Sequence, residues 1–126
     1  MKRKADQANQ LSEAWRHART EAMERSQAKN NSKGTQDNLR RNAIYVGQEF
    51  ERIGINGPHE IKREDFLKWL GGLKEGTLGT KKLGVSTIKK RVETLRAILQ
   101  ASKLIEQLDY VDLWKPEKEI KEIRYW

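Results

Sequence analysis

After Ser86, the residues Ile88, Val92, Leu95 and Leu99 recur at intervals of four, three and four, and this seam constrains the fold more than any other feature of the chain. At about 3.6 residues per turn, the spacing sets these side chains along one edge of a helix. Ser86 is the expected N-cap, and the helix is predicted over 86–105 with Ile98 and Ile105 on its flank. The same rhythm occurs upstream. Leu39, Ala43, Val46, Phe50 and Ile53 predict a helix capped by Thr35, with Asp37 and Asn38 in its first turn and Gly54 as its stop. Phe66, Leu67, Trp69, Leu70 and Leu73 cluster on one side of a third, weakened near its end by Gly71-Gly72. Leu11, Trp15, Ala18 and Ala22 form a thinner stripe, consistent with a helix docked through Trp15 and preceded by a frayed basic end, Met1–Lys4. No segment carries a convincing period of two, so the expected fold is all-α with four to five helices.

The core of such a chain is thin. Of 126 residues, 36% are hydrophobic and 35% charged, and small domains bury a smaller fraction of their surface than large ones. The absence of cysteine excludes disulfides, thiolate metal sites and thiol nucleophiles, and fits a reducing cytoplasm best. No apolar run approaches the roughly 20 residues of a spanning helix. The expected protein is therefore soluble, with no membrane role.

The formal charge of +8 is unevenly distributed. Residues 1–34 carry 8 basic and 4 acidic groups, 35–76 carry 7 and 7, 77–108 carry 7 and 2, and 109–126 carry 4 and 5. A packed segment with a concentrated positive field suggests a polyanionic partner. Three parts are expected: an N-terminal extension over 1–34 with a flexible hinge at Asn30-Asn31-Ser32-Lys33-Gly34, a helical core over 35–108, and a C-terminal segment over 109–126. Within the core, the glycines and Lys81-Lys82 between Gly72 and Gly84 read as a mobile basic loop lacking the residue order of a Walker loop. On the helix over 86–105, Lys89, Arg96 and Lys103 recur every seven residues and fall within about 40° of one another. This predicts a column of outward cations opposite the seam, while Arg91 lies on the seam's shoulder and snorkels.

From Thr35 to about Pro116 the order of signals resembles the core-binding, SAM-like domain of tyrosine recombinases, the phage integrase family. Most of the match lies in Gly84-Val85-Ser86-Thr87-Ile88-Lys89-Lys90-Arg91-Val92-Glu93-Thr94-Leu95-Arg96-Ala97-Ile98-Leu99 and its continuation to Ile105. Gly34-Thr35, and Glu60-Ile61 leading to Asp65-Phe66-Leu67-Lys68-Trp69-Leu70, are similar to the family's first and second core helices. Two features depart from the pattern: Lys115-Pro116 stands late, after the aromatic stretch Tyr110–Trp114, and the loop Gly76–Gly84 is long. The resemblance implies a small orthogonal helical bundle that binds double-stranded DNA in integration or recombination. It also implies a separate catalytic domain and contacts with other recombinase protomers on DNA.

Catalysis is not expected from this chain. The family's His-x-x-Arg box fails at both histidines, because Thr20 follows His17 and Lys62 follows His59 at the third position. Tyr45, Tyr110 and Tyr125 read as packing or groove-wall residues, and two distant histidines without cysteine make no metal site. Acidic pairs such as Glu64-Asp65 and Glu49/Glu51 sit among cations, with Asp65 read as first-turn stabilisation. No cofactor is expected. Phosphate contacts are assigned to Lys81, Lys82, Lys89, Lys90 and Arg96, with the backbone amides of Ser86, Thr87 and Ile88 at a helix N-terminus. Arg41, Tyr45, Gln48 and Arg52, on the expected exposed face of the helix over 35–53, are the base-contact candidates. The alternative is a helical protein-interaction or assembly module anchored by Tyr110, Trp114 and Trp126.

Overall fold

The computed structural model describes residues 11–78 and 81–114. Met1–Lys4, Thr80, the Lys115-Pro116 pair, Tyr125 and Trp126 lie outside this range, so the expectations placed on them do too. Among the described residues there are five α-helices and no strand: α1 (Glu13–Ala28), α2 (Lys33–Glu51), α3 (Arg63–Glu75), α4 (Val85–Ala101) and α5 (Ile105–Leu113), with a 3-10 turn at Pro58–Glu60. The all-α expectation holds. None of the helices is long and apolar enough to cross a membrane.

The seams pack as their spacing requires. Ile88, Val92, Leu95, Ile98 and Leu99 of α4 are buried, and α4 packs against all four other helices. Leu11, Trp15, Ala18 and Ala22 are buried as well, so α1 belongs to the core and closes over α2 and α4. Four aromatic rings form the centre of the core. Trp15 stacks on Phe50 at 5.5 Å, Phe50 stacks on Trp69 at 4.7 Å, and Phe66 tilts against Trp69 at 6.0 Å. Each pair adds roughly 0.5–1.5 kcal/mol beyond its area burial. Trp15 donates its indole N–H to the Ile55 carbonyl at 3.0 Å. At the start of α1, Ser12 accepts from the Trp15 amide and donates to the Asn56 carbonyl at 2.6 Å, fixing the helix to the end of α2.

Several boundaries differ from the sequence expectation. Ser32, not Thr35, caps α2, its Oγ accepting from the Thr35 amide at 3.2 Å. The 34/35 division therefore falls inside a helix. The expected hinge is a tight turn in which Asn30 takes φ 56° and the Asn31 amide donates to the Ser26 carbonyl. Gly84 precedes α4 in the cap position, so Ser86 lies within the first turn. Gly71-Gly72 does not end α3, which continues to Glu75 and stops at Gly76 with φ 76°. Leu67 is 52% exposed, because it lies off the face that carries Phe66, Trp69 and Leu73. The basic loop is anchored on both flanks by buried Leu78 and by the Leu83 amide, which donates to the Leu73 carbonyl.

The largest difference lies after Leu99. Helix α4 stops at Ala101 instead of continuing to Ile105. Lys103 adopts φ 58°, its amide donating to the Gln100 carbonyl and that of Leu104 to the Leu99 carbonyl. This is the Schellman arrangement that Gly54 makes at the end of α2, with a lysine where glycine is usual. Lys103 thus leaves the cation column, and Ile105, 71% exposed, begins a new helix instead of flanking the seam. A left-handed lysine costs about 1–2 kcal/mol. Lys103→Gly should therefore raise stability by about 0.5–1 kcal/mol after the greater freedom of glycine in the unfolded chain is offset, as measured by urea unfolding.

Candidate nucleic-acid interface

The polar face of α2 and the amino-terminal half of α4 meet at Arg91. Its position beside the seam suggests snorkelling, but its guanidinium is buried, with the residue only 7% exposed. Nε donates to Glu49 Oε2 at 2.9 Å and Nη1 to Asn42 Oδ1 at 3.1 Å, while Cζ lies 4.7 Å from the centre of the Tyr45 ring. Glu49 Oε1 accepts the Trp69 indole N–H at 3.0 Å. Glu49 is not a solvated acid among surface cations; it is 2% exposed and joins α2, α3 and α4 through one carboxylate. Burial raises its carboxyl pKa above the usual range, against the opposing pull of Arg91 and the two hydrogen bonds.

Of the base-contact candidates, Arg41 and Arg52 are exposed, while Tyr45 and Gln48 are half-buried. Tyr45 packs against the Arg91 guanidinium. Arg41 donates to Asn38 Oδ1 at 2.6 Å.

Lys89 and Arg96 share one side of α4, as their seven-residue spacing requires, and Lys90 lies on another beside Ala97. Lys90 lines a cleft of about 290 Å³ together with Asn31, Asn38 and Asn42. Lys89 and Arg96 line a second cleft, of about 350 Å³, against Val111, Asp112 and Trp114 of the α5 end. Glu93 lines both clefts and separates them. Arg96 is engaged by a carboxylate of the same molecule, its Nε lying 3.1 Å from Asp112. Lys81 and Lys82 are exposed on their anchored loop.

At the start of α4, Ser86 is exposed and Thr87 half-buried. The Ile88 amide already donates to the Gly84 carbonyl at 2.9 Å, so it is not one of the helix's unsatisfied N–H groups. No side chain caps this terminus, which leaves the amides of Ser86 and Thr87 toward solvent or an anion.

The remaining candidate chemistry is sparse. His17 and His59 are exposed beside Glu21 and Glu60, and among the described residues no three His, Asp or Glu side chains gather as a metal site would require. Asp65 accepts from the Lys62 amide at 3.0 Å, stabilising the start of α3. Tyr110 and Trp114 are half-buried against the core instead of standing as free anchors. Compared with family models, curated proteins and solved structures, the chain matches none of them.

The buried pair makes a testable demand. Arg91→Met leaves the Glu49 carboxylate without its countercharge and should destabilise the fold by about 3–5 kcal/mol at pH 8. A carboxyl whose pKa is raised by folding binds its proton more tightly folded than unfolded, so stability grows as pH falls through that range. The loss in the variant should accordingly shrink as pH falls, because protonation of Glu49 removes the uncompensated charge; urea titrations at pH 8 and at mildly acid pH measure the difference.

Proposed function

We propose that this helical bundle binds duplex DNA, with a role like that of the SAM-like core-binding domain of a site-specific tyrosine recombinase whose catalytic groups lie in a separate domain. The observation that best supports the reading is the junction at Arg91. It joins α2, which carries Arg41, Gln48 and Arg52, to α4, which carries Lys90 and an uncapped N-terminus. Arginine and glutamine are suited to base edges, and lysine to phosphates. The binding is largely sequence-tolerant, with Lys81, Lys82, Lys89 and Lys90 as its main electrostatic contacts.

Arg96 contributes less than its charge implies, because Asp112 holds it. With about four phosphates neutralised, log K should fall against log salt with a slope near −3.5. Fluorescence anisotropy with a labelled duplex measures that slope. Lys81→Ala/Lys82→Ala should make it shallower by about two units. Asp112→Asn, by freeing Arg96, should tighten binding several-fold at low salt. Absence of duplex binding at about 50 mM salt would refute the reading.

A second reading, a protein-interaction module, draws on Ile105 and Leu113 of α5, which are 71% and 79% exposed. Large exposed apolar side chains suit an interface better than solvent. A sizing run of Ile105→Glu/Leu113→Glu beside the parent chain separates the two readings. A change in size with unaltered duplex binding favours association through α5.

A further inference from the structure

Two asparagines one turn apart on α2 have their carboxamides oriented by arginines. Asn42 Oδ1 accepts from Arg91 Nη1 at 3.1 Å, and Asn38 Oδ1 accepts from Arg41 Nη2 at 2.6 Å. A guanidinium has only donors, so each contact turns the amide oxygen toward the arginine and leaves the Nδ2 hydrogens for another group. Both residues line the cleft that holds Lys90. Asparagine ordinarily reads adenine by using its oxygen and nitrogen together. Here each oxygen already accepts from a cationic guanidinium, which weakens it as a further acceptor, so the two amides and the lysine offer chiefly donors.

We infer that the Asn38–Asn42–Lys90 cleft is a specificity site for a G·C base pair, contacting the guanine N7 and O6 edge; this rests on the duplex-binding reading above. Guanine offers two acceptors side by side in the major groove, whereas adenine places an N6 donor beside its N7. Glu93, on the wall of the same cleft, sets the class of occupant. Its carboxylate repels a phosphate but tolerates an uncharged base edge, and it can accept from the N4 amino group of the paired cytosine. Arg91 is a positioning residue in this arrangement: it fixes the Asn42 amide from inside the core and needs no contact with DNA.

The test is selection from a random duplex library by the full chain at about 100 mM salt, with sequencing of the bound fraction. The expected result is one G·C position enriched about tenfold over the other pairs. Asn38→Ala/Asn42→Ala should flatten that position while leaving the salt slope on unselected duplex unchanged. A second measurement avoids mutating the protein: replacing the enriched guanine by 7-deazaguanine should weaken binding by the parent chain several-fold and binding by the double variant hardly at all. Retention of duplex with no base preference, enrichment of A·T, or indifference to 7-deazaguanine would overturn the assignment and leave duplex binding standing. Failure to retain duplex at low salt would remove both.

Discussion

The buried contact between Arg91 and Glu49 is the constraint on which the rest of the bundle depends. Two charges leave water only if each is fully engaged, since desolvating an ion costs several kcal/mol even after relaxation. Glu49 meets this condition with Arg91 on one oxygen and the Trp69 indole on the other. The carboxylate can satisfy both only if α2, α3 and α4 hold one relative setting. Apolar packing alone tolerates small slides between helices, whereas a hydrogen-bonded ion pair at 2.9 Å tolerates very little. The stacked Trp15, Phe50 and Trp69 rings extend the same line of contacts to α1.

This pair also connects core and surface. Arg91 uses one nitrogen inside the fold and another on Asn42, a residue open to the cleft, and it supports the Tyr45 ring from behind. A surface amide held from the core loses less freedom on binding than one held only by solvent, which is the energetic content of preorganisation. Under the proposed reading, the effect runs from core charge through amide orientation to base preference.

Helix existence was legible in the chain because periodicity reports the buried face directly. The seams of α2 and α4 and the stripe through Trp15 all pack as spaced. Helix ends were less legible, since Ser32, Thr35, Gly84 and Ser86 are all acceptable caps and only the surrounding packing selects among them. The stop after Ala101 was hidden because it uses a lysine in the left-handed region, where sequence signals favour glycine or asparagine. Arg91 and Glu49 were missed for another reason. Reading charge as exposure is usually sound, yet Glu49 lies three residues after Val46 and Arg91 three after Ile88. Opposite charges on two apolar seams were the available signal of a buried pair.

The candidate interface shows the same limit in electrostatic form. Counting charge over residues 77–108 gives 7 basic groups against 2 acidic, but a field depends on where charges end rather than on which segment carries them. Arg91 is neutralised inside the fold, Arg96 faces Asp112 from the next helix, and Lys103 occupies a turn away from the expected column. Lys81, Lys82, Lys89 and Lys90 remain exposed, with Glu93 dividing the last two between separate clefts. The fold therefore breaks up the positive face that segment counting implies, and under the duplex-binding proposal recognition draws on the hydrogen-bonding groups aligned by the buried pair as well as on charge.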